Sequence, residues 1–121
     1  MTIKLGVVTD EVSPDLEEAL EWARERQLDY VDLRDIEGEN ICEMPEEKVA
    51  RVEEIIARYG LPVMTICPQL FRAMLNPEEV RQAPEDIASI PDAEASEYVR
   101  HLKLLRKALE LAEQFNAPYI R

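Results

Sequence analysis

The chain has 121 residues, enough for one domain with a real core, and its 46% hydrophobic content is that of a globular protein. A net charge of −12, from 26 acidic against 14 basic residues, repels a phosphate backbone and disfavours nucleic acid as a partner. No apolar run approaches a membrane span, and the opening MTIKLGVVTD lacks the features of a signal peptide. A cytoplasmic protein with no membrane partner is therefore expected.

Ile3 to Val8 is short, β-branched and apolar, as a buried strand should be. Thr9 to Val12 leaves it as a polar loop. Ser13-Pro14-Asp15 then announces a helix, with serine as cap, proline in the first turn and an acid to complement the dipole. Leu16, Ala19, Leu20 and Ala23 form its apolar face, and it ends near Arg26. Tyr30 to Arg34 is a second strand, and Asp35 to Glu43 a loop. Pro45 opens the next helix, with Val49, Val52, Ile56 and Tyr59 as its stripe and Gly60 as its left-handed cap. Val63 to Cys67 is the third strand. Residues 68 to 92, punctuated by Pro68, Pro77, Pro84 and Pro91, read as a long loop with one short helical turn near Glu78. The longest helix spans residues 93 to 115, with Tyr98, Leu102, Leu105, Leu109 and Ala112 inward and Asn116 as cap. Ala117 to Arg121 begins a fourth strand.

The order β-α-β-α-β-α-β predicts an α/β fold with a parallel sheet. A doubly wound sheet is disfavoured because no glycine-rich phosphate turn follows the first strand. Polar residues within the strands suit the interior of a (β/α)8 barrel. Lys4, Gly6, Val8 and Asp10 share one face of the first strand, Tyr30, Asp32 and Arg34 one face of the second, and Val63, Thr65 and Cys67 one face of the third. Leu5, Val7, Val31, Leu33, Met64 and Ile66 are then left to face the helices. The whole of residues 1–121 is read as one partial TIM barrel.

In such a barrel, active sites gather where strands end. Asp10 and Glu11 follow the first strand, Arg34 and Asp35 the second, Cys67 and Gln69 the third. Arg34 has the planar fork that clamps phosphate or carboxylate, or it pairs with Asp10 or Asp32 to satisfy buried charge. Asp10 and Glu11 orient substrate hydroxyls or fix the loop before the helix. Cys67 has no base beside it and reads as a small pocket-wall residue. Cys42 and Cys67 lack CxxC spacing and read as free thiols rather than a disulfide or zinc site. His101, the only histidine, falls on the long helix away from the strand ends, and Trp22 beside the apolar face of the first helix reads as core or rim packing.

Two stretches carry a family resemblance. Thr9-Asp10-Glu11-Val12-Ser13 through Asp15-Leu16-Glu17-Glu18-Ala19-Leu20, with Tyr30-Val31-Asp32-Leu33-Arg34, resembles the opening of the xylose isomerase-like barrels, the sugar phosphate isomerases and epimerases. His101-Leu102, Leu104 to Ala108 and Leu111-Ala112, with Ala117 to Arg121, resembles that group's third helix and fourth strand. The resemblance implies an enzyme of a small sugar or sugar phosphate that holds a divalent metal, Mn2+, Mg2+ or Zn2+, through carboxylates and a histidine on later strands. No metal ligand is carried over to this chain, and no catalytic residue. Asp10, Glu11, Arg34 and Cys67 are the expected substrate-binding residues. A closed barrel needs about 250 residues, so the expectation is an N-terminal half, inactive and without metal by itself. A half-barrel that dimerises through its open sheet edges and a non-catalytic sugar-binding domain are the alternatives.

Overall fold

The computed structural model describes residues 2–72 and 76–121. Its main sheet has four parallel strands, β1 (Gly6–Val8), β2 (Tyr30–Leu33), β5 (Val63–Ile66) and β6 (Tyr119–Ile120), lying side by side in that order. Neighbours in space are thus neighbours in the chain, with no point at which the order reverses. The expectation of a parallel α/β sheet holds.

Helix α1 (Thr9–Val12) follows β1 directly, where a loop was expected. Helix α2 (Leu16–Glu25) starts two residues later than its sequence signal: Asp15, not Ser13, is the cap and accepts from the Glu18 amide at 2.9 Å. Ser13 supports it by accepting from the Asp15 amide at 3.1 Å and donating to Glu18 at 2.7 Å. Trp22 lies at the rim of the core under the Arg26 guanidinium, 4.1 Å from its ring centre.

The segment after β2 was expected to be a loop. It folds instead as an antiparallel hairpin, β3 (Asp35–Ile36) with β4 (Glu39–Asn40), followed by a 3-10 turn at Ile41–Glu43. Glu37 and Gly38 form its tip, both with positive φ, as a two-residue type I′ turn requires. Helix α3 (Glu46–Tyr59) buries Val49, Val52 and Ile56, and Gly60 caps it in the left-handed region as expected.

The long loop contains the helical turn anticipated near Glu78, α4 (Pro77–Arg81), and a further 3-10 turn at Ile87–Ser89; residues 73–75 of it lie outside the described residues. Helix α5 (Glu97–Gln114) is capped by Ser96, whose hydroxyl accepts from the Val99 amide. Its inner face differs from the predicted stripe. Val99, Ala108 and Leu111 are buried and Leu104 and Ala112 pack on the core, while Leu109 is exposed. Several staggered leucine rows on this helix are equally spaced, so periodicity alone does not select the buried one. Asn116 takes the left-handed conformation expected of it.

One continuous core lies between the helices and one face of the sheet, with Leu20, Val31, Leu33, Ile41, Ile66 and Leu111 fully enclosed. Burying each such side chain contributes about 1.5–3 kcal/mol before the cost of ordering it. The strand faces correct the sequence reading at two points. Leu5 is solvent-exposed, since the sheet begins only at Gly6. On β5, Val31 pairs with Val63 but Asp32 pairs with Thr65, so Met64 is an extra residue opposite the Val31–Asp32 step. That irregularity breaks strict alternation: Val63 joins Ile66 in the core, while Thr65 lies in a row with Asp32 and Tyr119. Gly6, Tyr30, Asp32 and Thr65 lie outside the core cluster, on the opposite face.

Candidate functional site

The strands of a parallel sheet all end at one edge, so β1, β2 and β5 deliver Thr9–Glu11, Arg34–Asp35 and Cys67 to the same place. Here the sequence left two partners open for Arg34, and the structure selects Asp10. The guanidinium donates from Nε at 3.2 and 3.1 Å to the two carboxylate oxygens and from Nη2 at 2.7 Å to Oδ2. Glu11 stands 3.5 Å from the same nitrogen. The Asp35 amide donates to Asp10 Oδ1 at 3.3 Å. Asp10, Glu11 and Arg34 are therefore one cluster that ties the end of β1 to the end of β2.

The pair is partly enclosed, its side chains 17% and 29% exposed for Asp10 and Arg34. Asp10 holds the guanidinium protonated beyond its ordinary range against the opposing effect of burial, with Glu11 and Asp35 adding to it. Three carboxylates, Asp10, Glu11 and Asp35, act on this one cation. Such a mouth is net negative and better matched to neutral hydroxyl groups than to an anion. Nη1 of Arg34 has no hydrogen-bond partner among the described residues, so donors remain for an incoming oxygen.

Cys67 is buried at 3% exposure and lies outside the core cluster, on the polar side of β5. Burial pushes its thiol pKa up, with Arg121 and Arg34 pulling the other way and Asp32 and Asp10 reinforcing the rise. A thiol held neutral is a wall, not a nucleophile. Cys42, beneath the 3-10 turn, is pushed up to about 12, chiefly by burial.

Three further residues of this edge were not among the expected substrate-binding residues. Asn40 is the first: nearly buried, it donates to Asp35 Oδ1 at 3.1 Å and to the Cys67 carbonyl at 3.2 Å, and accepts from the Cys42 amide at 3.0 Å. Asp32 Oδ1 and Thr9 Oγ1 are the others, both enclosed and without a partner. Arg34 pairs with Asp10 and not with Asp32, the other partner the sequence offered. Its polar position on an otherwise apolar strand was the signal available for it.

Glu11 and Gln69 lie outward on this edge, and Gln69 accepts from Arg72 at 3.3 Å. His101 is not remote from the strand ends, as its place on the helix had implied. Its Nδ1 accepts from the Phe71 amide at 3.0 Å, fastening α5 to the segment that follows β5. Among the described residues, no three His, Cys, Asp or Glu side chains are arranged to hold a metal ion, and the acids nearest one another are engaged by Arg34 and Asn40. Nor, among the described residues, is any helix long and apolar enough to cross a membrane. Comparison with known protein families, with curated proteins and with solved structures gives no match.

Proposed function

We propose that these four strands are the first half of a xylose isomerase-like (β/α)8 barrel, and that their shared edge is one wall of the substrate pocket of a metal-dependent sugar or sugar phosphate isomerase or epimerase. The observation that carries this reading is the convergence of Asp10, Glu11, Arg34 and Asp35 at the C-terminal ends of strands whose spatial order follows the chain. In it, Asp10 and Glu11 accept from sugar hydroxyls, Arg34 donates to a carbonyl or hydroxyl oxygen, and Cys67 limits the pocket's depth. These are binding and orienting roles. Among the described residues, the donor set does not fit a divalent ion.

A titration of the 15N-labelled chain with a ketose such as fructose tests it. Saturable shifts at residues 9–12, 34–36 and 67, lost on D10N, are expected; shifts scattered over the helices, or none, overturn the reading.

A second reading has its own support. β1 and β6 each leave one edge unpaired within the four-stranded sheet, and the exposed Ile3, Leu5 and Tyr119 lie at those edges. A homodimer that joins β6 of one copy to β1 of the other would cover both. Sedimentation separates the two readings.

A further inference from the structure

The charge of the mouth poses a problem for a phosphorylated substrate, because its carboxylates repel phosphate. Cations do gather close by, on one face of α5. Arg100, Leu104 and Glu43 are common to two adjoining cavities of about 260 and 410 Å³. The smaller runs from Arg100 and His101 to Asn40, Pro68, Gln69 and Arg72, so it reaches the residue that braces Asp35 and Cys67. The larger continues along the helix to Lys103 and Lys107.

Lys103 is already engaged: it donates to Asp92 at 2.8 Å and to the carbonyl of Ile90. That contact lowers the Asp92 pKa and removes both charges from the balance. What remains is Arg72, Arg100 and Lys107 against Glu43 and Glu97, and none of these five forms an ion pair among the described residues. In a chain of net charge −12, two adjoining cavities that together hold one more unpaired cation than carboxylate run against the surrounding field. His101 adds a neutral donor. Its Nδ1 is occupied as an acceptor, so the uncharged ring carries its proton on Nε2.

We propose that these adjoining cavities bind the phosphate group of a phosphorylated sugar at Arg100, the cation they share, with Arg72 on one side and Lys107 on the other, while the sugar hydroxyls reach the Asp10–Arg34 mouth past Asn40. The proposal rests on the sugar-pocket reading for the second half of that statement and on the charge arrangement alone for the first. Guanidinium forks suit phosphate oxygens, and the flanking carboxylates weaken binding of the bare anion.

The test titrates the 15N-labelled full chain at constant ionic strength with inorganic phosphate, fructose and fructose 6-phosphate. Phosphate is expected to shift residues 41–43, 68–72 and 97–107 saturably, and fructose 6-phosphate to bind at least tenfold more tightly than either, with shifts extending to 9–12 and 34–36. R100E/K107E should lose phosphate binding tenfold or more while keeping the melting temperature and the response to fructose. D10N should keep phosphate binding and lose the fructose response, which separates failure of the phosphate site from failure of the sugar mouth. Phosphate shifts that do not saturate, that survive R100E/K107E, or that are matched by a sugar phosphate binding no more tightly than the free anion overturn the proposal.

Discussion

The contact between Arg34 and Asp10 joins the ends of two strands by three hydrogen bonds, and its removal is informative in two different ways. Truncating either partner strands the other's charge in a partly enclosed site, and R34M or D10N should each cost about 1–3 kcal/mol in urea unfolding. The double variant should lose less than the sum, and additive losses would mean that the two do not act as a pair. The cysteines make a second case. The Cys42 thiol stays neutral in the fold up to about 12, whereas an unfolded thiol ionises near its ordinary 9.0. Between those values the unfolded chain has released a proton that the native one retains. Stability therefore falls as pH rises through that window, by roughly a tenfold change in the folding constant per pH unit. C42A should flatten this alkaline limb, as measured by denaturation at pH 8 and pH 10. At this scale the sequence narrowed Arg34 to two partners but did not choose between them. The choice depends on where β2 stands beside β1, which aligns Val8 with Asp32 and leaves Asp10 beyond the strand end, within reach of the fork.

Among the elements, the helices were the most legible and the connections the least. Asp15 and Gly60 mark ends by local chemistry, and their signals lie within two residues of the structure, whereas the long helix begins at Glu97 behind its Ser96 cap, four residues after its expected start. The Asp35–Asn40 hairpin was missed because its only clear turn residue is Gly38. Glu37, which also sits at positive φ, is a poor marker for that conformation. Two expected outcomes follow in thermal or urea unfolding. E37G should stabilise the chain by up to about 1 kcal/mol by relieving that backbone, and S96A should destabilise it by about 1 kcal/mol through loss of the α5 cap. A neutral E37G would imply that the hairpin tip carries no strain. The β5 irregularity shows why face assignment failed there. Alternation is a local rule: Thr65 and Ile66 keep the faces it assigns, but the extra residue, Met64, puts Val63 in the core, in a way visible only against the partner strand.

Across the whole molecule, the sheet is covered by helices on one face and carries Gly6, Tyr30, Asp32 and Thr65 on the other, outside the core. The alternating order of strands and helices made the parallel sheet readable, and the absence of a glycine-rich turn favoured sequential order over a reversal. Sequence could not reveal how the loops close over the C-terminal edge, since that depends on long-range contacts such as Asn40 with Cys67 and Phe71 with His101. The open edges of β1 and β6, beside Leu5 and Tyr119, should make the chain associate reversibly as concentration rises. Sedimentation velocity should show a shifting boundary that L5K/Y119K abolishes, and a concentration-independent monomer would count against edge pairing.

Asn40 also supplies its own reporter. Its carboxamide is nearly enclosed, with both acceptors for its NH2 group fixed by separate segments of the chain. Rotation about that C–N bond and exchange with water both require the hairpin and the end of β5 to part. The two side-chain proton resonances of this residue should accordingly be widely split and slow to exchange. They give a direct spectroscopic clock for the opening of the candidate pocket.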